Sequence, residues 1–217
     1  IVRAYNYFLT NIDVDRVDRN TIKSNVQFVC IDLTEGEDEQ QIFDTINSLG
    51  VRLTTAELLK NYFFNRENED AFAEGWENVF EPSSEKKAYW EQEIVTGRIK
   101  RTLIDLFFDA FLQILVQDKS HGVTTEDKLY YSRTSNLFQS YKDFISRYCN
   151  GDKGVVLEKM RPYAKVFEST FDPGYCDEAI PPTPCLERMN VLIFGLKNST
   201  LIPYILYIRK NVCSAIE

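Results

Sequence analysis

The chain has 217 residues, of which 44% are hydrophobic and 13% aromatic. A chain of this length buries roughly 70% of its unfolded surface, which is enough for one core. Its 25 Lys and Arg against 33 Asp and Glu give a net charge of −8, which disfavours bulk nucleic-acid binding unless positive charge is segregated. Nine Gly and seven Pro exclude the collagen-like, low-complexity and disordered classes, so a compact, helix-rich, soluble domain remains.

Cysteine and histidine usage indicates a protein of the reducing cytoplasm. No two of the five cysteines form a Cys-x-x-Cys pair, and a single histidine cannot complete a usual zinc ligand set with them. The longest apolar stretch, 103–116, is interrupted by Asp105, Asp109 and Gln113 and is too short to span a bilayer. We therefore predict a buried core helix there, a cytoplasmic location and no membrane partner.

The first residues enter a helical pattern at once, without a Met. Val2, Tyr5, Leu9 and Ile12 recur at helical spacing and predict a first helix, which a charged linker over 13–20 follows. An intact gene product usually begins with Met and a frayed polar end. We therefore expect this chain to be an excised piece of a longer protein.

One strand is predicted at about 26–33, where β-branched and aromatic residues lie between polar ends. The helix that begins near residue 37 ends at Gly50 in a C-cap position. Thr54 and Glu57 then have the spacing of a capping box, in which Thr54 accepts from the Glu57 N–H and Glu57 reaches back. This signal predicts a helix from residue 55 to about 65.

The remaining chain has apolar faces at helical spacing throughout. Pro162 and Pro203 are placed near helix starts, where a missing N–H costs little. Trp76 and Trp90 occupy apolar helical positions and are predicted to anchor the core. The fold class is therefore mainly α, a multi-helix bundle with one or two strands. Its predicted later helices cover residues 70–80, 84–95, 99–119, 135–149, 155–171, 185–197 and 201–212.

The sequence offers few candidates for catalysis. It contains neither a G-x-S-x-G elbow nor a phosphate-binding P-loop. His121 lies in a polar turn and is predicted to be a solvated loop residue. Asp105 and Asp109 lie one turn apart and could hold a divalent metal, but an exposed stripe on an apolar helix explains them more simply. We expect no enzymatic activity from this chain alone.

One segment, residues 41–61, carries more polar groups than packing requires. Capping and packing account for Gly50, but they do not account for Asn47, Lys60 and Asn61 near one helix corner. Asn amides and a Lys ammonium beside a helix N-terminus suit a phosphate or buried carbonyls. Polar groups that merely tie the two helices together are an equally good explanation.

This segment resembles one family of phage-defence proteins, the GmrSD-type restriction proteins, which are often modification-dependent. The resemblance covers most of the chain and is specific over residues 40–64. An acidic lead-in and the predicted strand precede the matched pattern, which is Phe43-x3-Asn47-x2-Gly50-x2-Leu53-x3-Glu57-Leu58-Leu59-Lys60-Asn61. In this family a ParB/sulfiredoxin-like nucleotide-binding domain is followed by helices.

The resemblance implies a division into two parts. Residues 1–66 would be the C-terminal part of the ParB-like domain, with the strand at 26–33 and motif helices at 37–65, and residues 67–217 a helical subdomain. The strands would then be the edge of a truncated α/β domain. The family's Asp-Gly-Gln-Gln-Arg run is absent from this sequence, and its His-Asn-His-like nuclease set cannot be built with one histidine.

The resemblance also implies a role. The chain would help form a nucleotide site and couple it to a nuclease domain absent here, with Asn47, Gly50, Lys60 and Asn61 nearest the nucleotide. The full-length protein would bind an NTP with Mg, and would reach DNA only through the absent domains. Its partners would be its own upstream and downstream domains, and no cofactor is expected for this piece alone.

An alternative from a different class is a non-catalytic helical scaffold for protein–protein interaction. The scarcity of catalytic groups and the net charge of −8 favour it. Such a scaffold would bind a partner protein through its helices or form a homo-oligomer.

Overall fold

The computed structural model describes residues 2–13, 17–25, 54–64, 72–96, 99–132, 137–179, 182 and 185–212. The chain divides into two compact units, Ile1–Arg52 and Leu53–Glu217. The predicted strand at 26–33 and the first motif helix, with Asn47 and Gly50, lie outside the described residues. The predicted domain boundary after residue 66 stays a prediction.

The first unit has two described helices, α1 (Val2–Asn11) and α2 (Arg19–Asn25). Helix α1 confirms the predicted first helix. Helix α2 was not predicted, because it is short and lies partly in the charged run. Asp18 precedes this helix, and its carboxylate accepts hydrogen bonds from the backbone N–H groups of Asn20 at 3.0 Å and Thr21 at 3.2 Å, as an N-cap residue does.

The described part of the second unit is built mainly from α-helices, which confirms the predicted fold class. Shorter turns join them: two π-helical segments, Ala73–Glu77 and Val191–Gly195, and three 3₁₀ turns, Lys119–His121, Pro173–Asp177 and Ser199–Leu201. The helices are α3 (Thr55–Phe63), α4 (Asn78–Phe80), α5 (Ser84–Glu91), α6 (Leu103–Gln117), α7 (Thr125–Tyr131), α8 (Leu137–Tyr148), α9 (Gly154–Thr170), α10 (Leu186–Asn190) and α11 (Ile202–Asn211).

A β-hairpin interrupts these helices. Strands β1 (Glu93–Thr96) and β2 (Ile99–Thr102) pair antiparallel, with Glu93 opposite Thr102. The predictions of helix over 93–95 and 99–102 are therefore wrong. Thr102 explains where α6 begins, because its hydroxyl accepts from the Asp105 N–H at 3.2 Å and caps the helix. Ile, Val and Thr in the preceding residues fit a strand.

Helix α6 is the centre of the core. Eleven of its 15 residues are buried, which confirms the predicted core helix. Phe107 is fully buried, and its ring lies 5.5–5.8 Å from those of Phe80, Trp90 and Phe167. Trp76 and Trp90 are buried as predicted. None of the described helices is both long enough and apolar enough to cross a membrane.

The two prolines differ from each other in their helical positions. Pro203 lies in the first turn of α11, as predicted. Pro162 lies inside α9, so its predicted place near a helix start is wrong. Its side chain is exposed, and water can therefore reach the helical carbonyl that loses its donor at this position.

Candidate binding groove

Helix α3 carries the described part of the family-like segment. The Thr54 hydroxyl accepts from the Glu57 N–H at 3.2 Å, and the Glu57 carboxylate accepts from the Thr54 N–H at 2.8 Å. The predicted capping box is therefore confirmed. It fixes the start of α3 and so the direction in which Lys60 and Asn61 project.

Lys60 is held by an ion pair within the second unit. Its ammonium lies 2.7 Å from a Glu81 carboxylate oxygen that also accepts from the Trp76 indole N–H at 2.8 Å. Burial raises the pKa of Glu81, but these hydrogen bonds outweigh it and hold the pKa below its usual value. The ammonium also lies 5.0 Å from the centre of the Phe72 ring. Asn61 on the same helix is exposed.

Asp105 and Asp109 do not form the exposed stripe that their spacing predicted. Both are half-buried, because most of α6 is covered, and one carboxylate oxygen of each is buried without a hydrogen-bond partner among the described residues. Burial raises the pKa of both carboxyl groups, against the influence of Arg101. The Arg101 guanidinium lies 3.5 Å from Asp109. Among the described residues no group of three or more His, Cys, Asp or Glu could hold a metal ion.

His121 is half-buried, so its prediction as a solvated loop residue is wrong. Its ring packs edge-on against Phe144, with 5.3 Å between the ring centres. Its Nε2 atom is buried and has no hydrogen-bond partner among the described residues. The apolar contact with α8 explains why His121 is half-buried. The polar residues around it in the sequence gave no indication of this contact.

An open groove of about 1260 Å³ lies along α6, α9 and α11. We call it the α11 groove, since five of its lining residues, from Pro203 to Asn211, belong to α11. Its main lining residues come from these three helices and are Asp109, Gln113 and Gln117 of α6, Lys159, Pro162 and Tyr163 of α9, and Pro203, Tyr204, Tyr207, Lys210 and Asn211 of α11.

Two tyrosines of α11 give the groove its aromatic surface. Tyr204 and Tyr207 are 65% and 50% exposed, and their spacing of three residues places them on one face of the helix. The opposite face of α11 holds it in place, because Ile202 and Leu206 are buried in the core. The tyrosine rings therefore line the groove on a helix that is fixed from behind.

Two ion pairs border the groove. One joins Arg101 to Asp109, and the other joins the Lys159 ammonium to Asp118 at 2.7 Å. Asp118 also accepts from the Ser120 N–H at 2.9 Å. The hydrogen bond from Lys159 is the main reason why the pKa of Asp118 lies well below its usual value. Each of the two carboxyl groups is thus already paired with a lysine or arginine of the groove.

Amide side chains fix the walls of the groove. The Asn211 amide donates to the Tyr163 hydroxyl at 2.8 Å, and so joins α11 to α9. The Gln113 amide donates to the Tyr131 carbonyl at 2.6 Å, and so joins α6 to α7. No histidine or cysteine is among the described residues that line the groove. The arrangement offers charged, hydroxyl, amide and aromatic surface for binding.

Of the four predicted site residues, the structure describes Lys60 and Asn61. Lys60 and Asn61 lie on α3, and neither lines the α11 groove. The groove itself was missed, because Tyr204, Tyr207 and Lys210 were assigned only to a helix. A signal was present in the sequence: α11 has tyrosines on the face opposite Ile202 and Leu206, where a solvated helix usually carries charged residues.

Comparison with known proteins adds no relative. No protein-family model, no curated protein and no solved structure matches the chain.

Proposed function

We propose that this chain is a non-catalytic helical module that binds a partner protein through the α11 groove. The observation that carries this proposal is the groove itself. Its volume of about 1260 Å³ exceeds the roughly 300–1,000 Å³ of typical small-molecule pockets. Its lining residues on α11 extend from Pro203 to Asn211, and that length suits a segment of polypeptide.

The chemistry of the lining supports binding to a protein. Tyrosine is enriched at the energetic centres of protein interfaces, because its ring buries a large apolar area while its hydroxyl keeps a hydrogen bond. Tyr204 and Tyr207 supply two such rings side by side. The carboxyl groups of Asp109 and Asp118 have ion-pair partners already, so the groove presents polar surface without an assembled proton-transfer group.

A peptide-display selection on the immobilised chain tests this function, because a random library can reveal binding peptides before the natural partner is identified. Selected peptides are then titrated against the double variant Tyr204→Ala and Tyr207→Ala. We expect affinity to fall at least about tenfold, since losing a central aromatic contact costs more than about 1 kcal/mol. Both side chains are half or more exposed, so the fold is retained.

Tyr130→Ala is the matched control. Tyr130 is 49% exposed, like Tyr207, but lies on α7 outside the groove. The control is expected to bind the peptides as the unaltered chain does. A selection that yields no binding peptide, or peptides that bind the double variant with unchanged affinity, would overturn the proposed function.

We also propose, as a second candidate, that the chain is a cytoplasmic helical segment of a GmrSD-like restriction protein. Its support is the matched pattern, whose final residues lie on the capped helix α3. In the full-length protein, Asn47→Ala and Asn61→Ala are expected to weaken binding of an NTP with Mg, measured by calorimetry. Asn61 is the better test than Lys60, because it is exposed and Lys60 holds an ion pair. Unchanged nucleotide affinity in both variants would remove this candidate.

A further inference from the structure

We infer that the segment bound in the α11 groove is an extended acidic peptide. This inference rests on the proposed function and names the chemical class of the partner. It combines two features of the groove, namely the sign of its charge and the dimensions of its tyrosine-bearing wall.

The charge of the groove is opposite to that of the whole chain. Among the described residues, its lining contains four cationic side chains, Arg101, Lys119, Lys159 and Lys210, against the two carboxylates Asp109 and Asp118, and 4 − 2 gives a surplus of +2. The chain as a whole carries −8. Positive charge is therefore segregated in the groove, and an acidic partner is attracted there while the remaining surface repels it.

The shape of the groove fits an extended chain. Helix α11 has ten residues and is therefore about 15 Å long. An extended peptide rises about 3.3 Å per residue, so four or five residues match this length. The Tyr204 and Tyr207 rings provide apolar contact for side chains of the peptide. The hydroxyls of these tyrosines and the exposed Gln117 amide can pair with its backbone N–H and carbonyl groups.

Single-stranded nucleic acid is the main competing occupant, because it also binds basic grooves that contain aromatic rings. The observations favour the peptide. Asp109 and Asp118 line the groove and would repel a phosphate backbone, and so would the net charge of −8 on the whole chain. A peptide carries fewer charges per unit length and can place them only where the lysines lie.

The test uses the same peptide-display selection, with a random library that favours no amino acid. We expect the selected eight-residue peptides to be enriched in Asp and Glu. Lys119 lies at the groove and is exposed, so Lys119→Glu preserves the fold and is expected to weaken the binding of these peptides by about fivefold or more. Raising the salt concentration is expected to reduce the difference between the variant and the unaltered chain.

Lys165→Glu is the matched control, because Lys165 is also exposed but lies on α9 outside the groove. It makes the same change in net charge and is expected to leave affinity unchanged. Equal weakening by both lysine variants would overturn the inference, because the effect would then come from net charge alone.

The outcomes separate this inference from the proposed function. Peptides that are neutral or basic, yet lose affinity with the Tyr204 and Tyr207 double variant, would overturn the acidic class and leave the groove as the binding site. A twelve-nucleotide poly-dT strand that binds more tightly than the peptides and is weakened by Lys119→Glu would also overturn it. Acidic peptides that bind the Tyr204 and Tyr207 double variant with unchanged affinity would contradict both the acidic-peptide inference and the proposed function.

Discussion

Replacing Phe107 by Ala is expected to lower the free energy of unfolding by about 3–5 kcal/mol. Phe107 is fully buried at the centre of α6, and its ring touches aromatic side chains from three other elements. Its loss removes apolar burial and leaves a cavity, because rings on several helices cannot all move inward to fill it. Urea denaturation followed by circular dichroism measures the effect.

Two further variants serve as comparisons for Phe107→Ala. Phe107→Leu restores most of the volume and is expected to be less destabilising than Phe107→Ala. Tyr130→Ala removes a half-exposed ring from α7 and is expected to change stability by no more than about 0.5 kcal/mol. If Phe107→Ala destabilises no more than Tyr130→Ala does, α6 is not the centre of the core.

Replacing Asn190 by Leu is expected to lower the free energy of unfolding by about 2–4 kcal/mol. Asn190 is completely buried. Its amide donates to the Thr170 carbonyl at 2.8 Å, and its oxygen accepts from the Asp172 N–H at 2.9 Å. Leucine has a similar volume but removes the hydrogen bonds to the Thr170 carbonyl and the Asp172 N–H, and the loss at the buried Thr170 carbonyl is costly. Thermal and urea denaturation measure the loss.

This residue also bears on the groove. Thr170 is the last residue of α9, so the Asn190 amide holds the end of a helix that forms one wall. Asn61→Leu is the matched control, because it makes the same chemical change at an exposed position on α3, where we expect a change within about 0.5 kcal/mol. Equal destabilisation by the two variants would show that the Asn190 hydrogen bonds contribute nothing specific.

The sequence could predict features that depend on local chemistry. The capping box at Thr54 and Glu57 needs only a four-residue spacing, and the structure forms it. The run of α6 is apolar at most of its positions, so the burial of most of this helix follows from composition. The mainly α fold class follows in the same way, because most of the chain repeats its apolar residues at helical spacing.

Features that depend on neighbours in space were not predictable. The same apolar residues fit a strand or a helix, and β1 and β2 form here because the two segments pair with each other. Asp105 and Asp109 have a spacing typical of an exposed stripe, but other helices cover them. Periodicity shows which residues share a face and not what covers that face.

The groove is a further case of this kind. Its walls come from α6, α9 and α11, which are far apart in the sequence. The tyrosines of α11 are a local signal, but no sequence motif shows that this helix meets α6 and α9 in the fold. Of the residues predicted from the family resemblance, Asn47 and Gly50 lie outside the described residues, and Lys60 is held by Glu81.

The most direct test of the α11 groove as a peptide-binding site is a crystal structure of the chain with one of the selected peptides bound. We expect the peptide to lie extended along α11, with its backbone beside Tyr204 and Tyr207 and a carboxylate near Lys119. A peptide that binds on any other surface, with the α11 groove empty, would contradict it.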